Sequence, residues 1–267
     1  SLLQPVMTPL LIAIQFLTRL PVARLQFTAA PGSEPPGPKV VRDSIYWYSS
    51  VGLLLGLILW LASAGGHWLL PQLNPTIMAA LLLALWVWLS GALHLDGLAD
   101  SADAWLGGRD PEHRLAIMKD PRCGSAGVVS VVLLLILKFA CLSVLLVREP
   151  ALVILAPTLA RGAMPLLFLH TPYVRQQGLA SPFSQGLRPL LCYGQLLLPV
   201  GLWCWFQGLA AVPGLAWLAV LGLGLRRSMV SRIGGTTGDT AGALIELLEA
   251  GALLAICAAL PAAPPPA

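Results

Sequence analysis

Long apolar runs recur along this chain and constrain its fold more than any other feature. Seven stretches approach or reach the length of a membrane helix: 45–70, 76–95, 127–147, 151–170, 190–207, 213–230 and 241–260. A membrane helix needs roughly 20 apolar residues, and lipid offers no partner to backbone polar groups outside helices and closed barrels. The short alternating strands of a barrel are not visible. The sequence therefore predicts an all-α, polytopic transmembrane helical bundle of about six to eight membrane helices.

The composition points the same way. Hydrophobic residues make up 57% of the 267 residues and charged residues only 10%, against roughly 25% charged in soluble domains. A single integral membrane domain over 1–267 is expected, with the lipid bilayer as its main surroundings. The short apolar piece 7–18 is either a span or an interfacial or re-entrant helix. The five cysteines show no metal or redox spacing, and the net charge of +4 is attributed to loop bias rather than to nucleic-acid binding.

The basic residues predict the orientation of the bundle. Of the 16 lysines and arginines, 13 lie on alternate connections: the one before residue 45, and those within 96–126, 171–189 and 226–240. Because cytoplasmic loops carry the excess of Lys and Arg, these connections are predicted to face the cytosol. The expected location is the cell inner membrane, with the C-terminus on the opposite side.

The stretch HLDGLADSADAW places three carboxylates directly behind an apolar run. Asp96, Asp100 and Asp103 are spaced i, i+4 and i+7, which puts them on one helix face. Such a cluster is repulsive unless a cation neutralises it, and oxygen ligands suit Mg²⁺ or Mn²⁺. The alternative is a solvated helix end that pairs with Arg109 or Arg114.

A second polar cluster lies in GGTTGDTAGALIELLEAG. Asp239 and Glu246 share a helix face, and the glycine-rich turn before them offers N–H groups and the hydroxyls of Thr236 and Thr237 to a phosphate. The alternative is a plain helix N-cap with Asp239 offsetting the helix dipole. Glu246 lies two turns inside an apolar helix, so it needs a cation as partner.

Cations complete the pattern. Lys119 and Arg122 stand in KDPRCGSAG, and Arg161 interrupts an apolar run, where it is predicted to pair with a carboxylate or bind a phosphate. Lys138 is predicted to reach water with its long side chain, and His94 to be a hydrogen-bonding residue rather than a metal ligand. Acids, a glycine-rich turn and cations at one membrane face indicate Mg²⁺-assisted phosphoryl or nucleotidyl transfer.

Several motifs carry a resemblance to a known family. HLDGLADSADAW, RLAIMKDPRCGSAG, the Arg161-Gly162 pair, GGTTGDTAGALIELLE and an early LTRLPV occur in the same order over residues 17–249. The chain resembles cobalamin synthase, the adenosylcobinamide-GDP ribazoletransferase family. The resemblance implies a membrane transferase of cobalamin (vitamin B12) biosynthesis. Such an enzyme moves the adenosylcobinamide phosphate group from adenosylcobinamide-GDP to α-ribazole or its 5′-phosphate. It releases GMP, forms adenosylcobalamin or its 5′-phosphate, and uses Mg²⁺.

With this resemblance, the candidate residues take roles. The predicted metal ligands are Asp96, Asp100, Asp103 and Asp239. The candidate catalytic residues are Asp103 and Asp100, with Asp103 expected to take the proton of the nucleophile. The predicted substrate-binding residues are His94, Lys119, Arg122, Arg161, Thr236, Thr237 and Glu246. The expected partners are the two substrates and the bilayer, without nucleic acid; a homo-oligomer and the docking of other corrin-assembly enzymes stay open.

Two other functions share parts of this pattern. A CDP-alcohol phosphotransferase-like enzyme does similar chemistry, but its signature places an arginine where this chain has Asp100 and adds a GxxxDxxxD element that the sequence lacks. A membrane transporter would place ionisable residues in mid-membrane broken helices and preferably show internal repeats. Neither feature is visible in the sequence.

Overall fold

The structure, a computed structural model, describes residues 4–22, 37–175 and 180–261. Within these ranges the chain is helical, and the one β contact is an isolated parallel bridge between Tyr173 and Thr236. The described helices are α1 (Gln4–Leu17), α2 (Pro38–Asp43), α3 (Tyr48–Leu69), α4 (Pro75–Ser90), α5 (Leu93–Gly107), α6 (Pro111–Ile117), α7 (Ser125–Arg148), α8 (Leu155–His170), α9 (Pro189–Gly194), α10 (Leu197–Gln207), α11 (Ala211–Ile233) and α12 (Gly238–Ala259). Short 3-10 turns occupy Ser44–Trp47, Pro150–Ile154, Ser181–Ser184 and Gly208–Ala210. The predicted all-α class is confirmed.

Several helical stretches are long and apolar enough to cross a membrane. In the described part of the chain they are Pro38–Leu69, Ser125–Arg148, Pro150–His170, Pro189–Ile233 and Gly238–Ala259, and α4 with α5 adds a sixth if that bent pair is one span. Helix α1 has 14 residues, about 21 Å at 1.5 Å per residue, which is less than the roughly 30 Å hydrocarbon core. The chain is a multi-pass membrane protein.

The main departure from the sequence-based expectation is a break at residues 91 and 92. Gly91 and Ala92 both adopt left-handed backbone conformations, with φ of 65° and 56°, and α4 and α5 meet there at 87°. The Arg19 side chain packs on Gly91, where a Cβ would lie 2.2 Å from its Nε. The predicted span 76–95 therefore ends at Ser90, and the segment 96–126, predicted as a loop, contains most of α5 and all of α6.

A second bend separates α10 from α11. Gly208 has φ of 57°, and the ring of Trp203 packs on Gly214, eleven residues further along. In a straight helix these two positions would be about 16 Å apart, so the chain changes direction between them. The predicted spans 190–207 and 213–230 thus correspond to two helices of one long apolar stretch.

Helix α12 lies at the centre of the bundle. It packs against α5, α7, α8 and α11, and most of its residues are buried. Helix α8 is equally enclosed, whereas α7 and the stretch 189–233 bury a much smaller share of their surface. In a membrane protein the exposed apolar faces of these outer helices are the ones that contact lipid.

Two glycines bring α3 into direct backbone contact with α8 and with the 3-10 turn that precedes it. A Cβ added to Gly52 would lie 2.3 Å from the carbonyl oxygen of Pro157, and one added to Gly56 would lie 2.7 Å from the Cα of Ile154. Small residues four apart are a common device for close helix packing in membranes, where dispersion contacts replace the hydrophobic effect. The two helices can reach this distance only because neither position carries a side chain.

This contact gives a stability prediction. Gly52→Val and Gly56→Val should each lower the free energy of unfolding by roughly 1–3 kcal/mol, because the added methyl groups meet backbone that cannot move aside. Gly65→Val, on the same helix but with nothing within 4 Å of an added Cβ, is the matched control. The measurement is the thermal unfolding midpoint in detergent; equal shifts for all three variants would contradict the packing argument.

Candidate active site

The two polar clusters found in the sequence meet where α5 crosses the start of α12. Gly97 lies directly on the backbone of Asp239, and a Cβ there would be 2.5 Å from the Asp239 carbonyl oxygen. Asp96 and Asp239 line the same cavity. Asp96 is exposed and Asp100 is half-buried. Residues about 140 apart in sequence thus share one site.

Asp103 has a different environment from the other two aspartates of α5. Its carboxylate accepts hydrogen bonds from the backbone N–H groups of Gly124 (2.6 Å) and Gly127 (2.8 Å) at the start of α7. A Cβ on either glycine would come within 2.6 Å of these carboxylate oxygens. Asp103 therefore caps α7 from another helix and offsets the positive end of its dipole.

Arg175 is a site residue that the sequence analysis did not single out. Its Nη2 lies 2.7 Å from Oδ2 of Asp239. The segment that carries it is held by backbone hydrogen bonds, from Val174 N–H to the Thr236 carbonyl at 3.0 Å and from Thr236 N–H to the Pro172 carbonyl at 2.8 Å. Nothing in the sequence spacing signals this pairing, because it depends on the tertiary contact between two loops.

The threonines predicted to bind phosphate form the cap of α12. Thr236 and Thr237 are fully buried. The Thr237 hydroxyl accepts from the Thr240 N–H, and the Thr240 hydroxyl accepts from the Thr237 N–H, which makes a reciprocal capping box. The Thr236 hydroxyl lies 2.9 Å from that of Thr240. The capping alternative therefore holds for Thr237, Thr236 contacts the cap through the Thr240 hydroxyl, and burial keeps both hydroxyls from a substrate.

The cavity beside these acids has a polar edge and an aromatic interior. Its volume is about 220 Å³. His94, Asp96, Arg175 and Asp239 provide the polar lining, and five aromatic rings provide much of the remainder: Phe16, Tyr48, Phe168, Tyr173 and Phe183. Burial raises the pKa of the Tyr173 hydroxyl, which lies outside the membrane helices.

Lys119 and Arg122 lie on the exposed connection between α6 and α7. Lys119 is exposed, and Arg122 forms a paired contact with Asp120, with Nη2 to Oδ2 at 2.6 Å and Nε to Oδ1 at 2.9 Å. Hydrogen bonds from Arg122 lower the pKa of Asp120 to about 2. Because Gly124 donates to Asp103, the connection that bears both cations is anchored at the acidic face of α5.

Four charged side chains form a separate cluster inside the bundle. Lys138 Nζ lies 2.5 Å from both Glu246 Oε2 and Glu249 Oε2, and Arg161 Nη1 lies 2.5 Å from Glu249 Oε1. All four side chains are almost fully buried, and their formal charges cancel. Lys138 is buried and does not reach water, which corrects the expectation for that residue. Arg161 pairs with a carboxylate and Glu246 with a cation, as expected. Both partners lie inside the bundle, however, so neither side chain stands among the groups open to a substrate.

The carboxylates at this junction fit a magnesium ion that is bound jointly by protein and substrate better than one bound by protein side chains alone. No group of three His, Cys, Asp or Glu side chains arranged for a metal occurs within residues 4–22, 37–175 and 180–261. In the same ranges neither Asp96 nor Asp100 forms a salt bridge, including with Arg109 or Arg114. Mg²⁺ commonly takes one or two carboxylates and completes its shell with water and substrate phosphates, which is what two free carboxylates at i and i+4 can provide.

The fold and the site together define a class of protein: a multi-pass membrane enzyme whose reactive groups gather where α5 meets the N-terminal ends of α7 and α12. The model of one family, cobalamin-5-phosphate synthase, matches residues 9–257. The chain belongs to this family.

Curated relatives agree. A protein of Ectopseudomonas mendocina is 49% identical over 93% of this chain and 98% of its own length. One of Pseudomonas entomophila is 52% identical over 94% and 98%, and one of Pseudomonas putida is 50% identical over 95% and 100%. Each bears the name adenosylcobinamide-GDP ribazoletransferase. No solved structure matches this chain. The chain is accordingly a transferase of cobalamin biosynthesis.

The buried cluster makes a charge-balance prediction. Lys138→Met should lower the free energy of unfolding by about 3–5 kcal/mol, because it leaves a buried carboxylate without its cation. Adding Glu246→Gln removes one negative charge and leaves the pair of Arg161 and Glu249 intact, so the double variant should be more stable than Lys138→Met alone.

The measurement is again the thermal unfolding midpoint in detergent. Lys39→Met, at an exposed lysine outside the cluster, controls for the loss of a positive charge as such. If the loss of stability in the double variant equalled the sum of the losses caused by Lys138→Met and Glu246→Gln alone, the balanced-charge interpretation would be wrong.

Proposed function

We propose that this chain transfers the adenosylcobinamide phosphate group from adenosylcobinamide-GDP to α-ribazole or α-ribazole 5′-phosphate and releases GMP. The observation that carries this proposal is the junction of α5 with α12. Two carboxylates without cation partners, Asp96 and Asp100, stand there beside a cavity and an arginine. The names of the relatives supply the substrates, and the residues of the junction match the chemistry that those substrates need.

In this reaction a hydroxyl oxygen of the ribazole ribose attacks the phosphorus that is attached to cobinamide. The bond between this phosphorus and the bridging oxygen of the diphosphate breaks, and GMP leaves with the bridging oxygen. The hydroxyl proton must go to a base, and Asp100 is the better candidate in this proposal because both oxygens of Asp103 already accept backbone N–H groups. Asp103 is then a positioning residue that holds α5 against α7.

The diphosphate brings negative charge that cations must offset. Lys119 on its exposed connection and Arg175 at the cavity are the side chains suited to this. Asp96 and Asp100, with Asp239 close by, would hold Mg²⁺ together with the substrate phosphates. When bound, this ion would supply electrostatic stabilisation of the charge that develops on the phosphoryl oxygens and the leaving group.

We also propose an orientation for this site in the membrane. The reactive junction would face the cytosol from the inner membrane, because residues of the basic connections 96–126, 171–189 and 226–240 take part in it. Water-soluble nucleotide substrates would reach the site from this side.

Removing the free carboxylates tests the chemistry. Asp96→Asn and Asp100→Asn should each lower turnover of adenosylcobinamide-GDP with α-ribazole by about 100-fold, which is typical for loss of one strong electrostatic contributor. Both should also raise the Mg²⁺ concentration needed for half-maximal activity.

Glu112→Gln, an exposed acid on α6, is the matched control and should keep normal activity. Thermal midpoints confirm that the variants are folded. Near-normal turnover in both aspartate variants would show that this part of α5 is only a solvated helix face.

Labelling of single cysteines tests the orientation. After replacement of the exposed Cys123 and Cys204, cysteines introduced at Asp110 and Gln185 should react with a membrane-impermeant maleimide only when the cytosolic side is open. A cysteine at Gln72, on an opposite connection, should react from outside. All three positions are exposed. Labelling of positions 110 and 185 from different sides would overturn the assignment.

A further inference from the structure

The interior of the cavity is built from aromatic rings of five separate elements. The ring of Phe183 contacts three of the others. Its centroid lies 5.5 Å from that of Phe168, 5.9 Å from that of Tyr48 and 6.1 Å from that of Phe16. Tyr173 extends the set at 6.4 Å from Phe168. The mutual angles are edge-on or tilted, so the rings offer faces and edges to a planar guest between them.

His94 adds one polar group to this interior. It lines the cavity and is only 5% exposed. Its Nδ1 is buried and has no hydrogen-bond partner within the described residues. Buried polar atoms are nearly always paired in folded proteins, so an unpaired ring nitrogen at a cavity wall points to a ligand that supplies the missing partner.

We propose that this cavity is the subsite for the planar heteroaromatic base of the nucleoside acceptor, with the aromatic rings as its walls and His94 as its hydrogen-bond partner. The inference rests on the proposed function and assigns one half of one substrate to particular residues. The volume of about 220 Å³ lies below the roughly 300–1,000 Å³ of pockets for drug-sized ligands. It therefore suits one ring system rather than a whole nucleotide or a corrin.

The lining distinguishes between the two bases that the reaction involves. Guanine, the base of the donor substrate, carries ring-nitrogen and carbonyl acceptors and an amino donor on its edges. Each of these would lose its hydrogen bonds to water, at a cost, in a pocket whose walls are mostly apolar. The benzimidazole of ribazole has one free ring nitrogen, and the cavity has one unpaired imidazole nitrogen. His94 can serve that nitrogen, whereas guanine would need several partners, and the other unpaired polar atoms of the lining, on Arg175 and Asp239, face each other as an ion pair.

The position of the cavity would bring the ribose of the acceptor close to the acidic side chains. Asp96, Asp239 and Arg175 stand on its polar lining, and Asp100 lies one turn of α5 beyond Asp96. A base seated among the rings would place its attached ribose toward this polar edge. The attacking hydroxyl would then lie on the same side as the carboxylates to which the proposed function gives the proton.

Inhibition of the unmodified protein by free benzimidazole is the first test. Benzimidazole should compete with α-ribazole and should not compete with adenosylcobinamide-GDP. Competition with adenosylcobinamide-GDP alone would mean that the cavity receives guanine. No inhibition at any soluble concentration would also overturn the inference.

A ring-removing variant is the second test. Phe183→Leu keeps apolar bulk but removes the central ring, and should raise KM for α-ribazole about 10-fold, in line with measured losses of aromatic stacking. KM for adenosylcobinamide-GDP should stay unchanged and kcat should change less than KM. Phe206→Leu, at a 40% exposed phenylalanine on α10, is the control for the same substitution away from the cavity. If Phe183→Leu does not fold, Phe168→Leu removes a neighbouring ring and carries the same expectation.

The two tests separate this inference from the proposed function. If the unmodified protein makes no product from adenosylcobinamide-GDP and α-ribazole, the proposed function is wrong. If it does turn over, but KM for α-ribazole is the same in Phe183→Leu and Phe206→Leu, only the assignment of the base subsite is wrong.

Discussion

Two glutamates near the middle of α12 need cations, and this need fixes how the bundle is assembled. An unpaired buried charge costs several kcal/mol, so Lys138 from α7 and Arg161 from α8 have to meet α12 at the level of Glu246 and Glu249. The Lys138 ammonium also lies 4.8 Å from the ring centre of Trp86 on α4. Because apolar contacts between membrane helices permit sliding and rotation more readily than ion pairs do, this cluster specifies the register of four helices.

The geometry of the candidate active site follows from that register. Once α12 is fixed, its N-terminal end presents Asp239 at one place, and the break at Gly91 and Ala92 turns α5 across it. Glycines then allow backbones to approach each other directly: Gly97 at Asp239, Gly124 at Asp103, and Gly235 at the Pro172 carbonyl. The motifs are rich in glycine because the site is made of close backbone crossings rather than because phosphate must contact each glycine.

The charged residues divide into two kinds that the sequence could not separate. Glu246, Glu249, Arg161 and Lys138 are closed off in a neutral cluster, and Asp103 is engaged by backbone N–H groups. Asp96, Asp100 and Lys119 are free to meet a ligand. Both kinds appear in the sequence as charges in or near apolar helices, and the cost of burial predicts only that each needs a partner. Whether the partner is another side chain or a substrate depends on what lies across the helix interface.

The sequence by itself determined the all-α membrane class, because apolar runs of helix length have no other stable form in lipid. It also placed Asp96 and Asp100 on one helix face through simple periodicity. Only the tertiary structure decided the 87° turn into α5, the pairing of Arg175 with Asp239, the capping role of Thr237, and the aromatic cavity drawn from five elements. Helix periodicity is local and repeats every few residues, whereas these features depend on contacts between segments up to about 230 residues apart, such as Phe16 and Ile245 on one cavity wall.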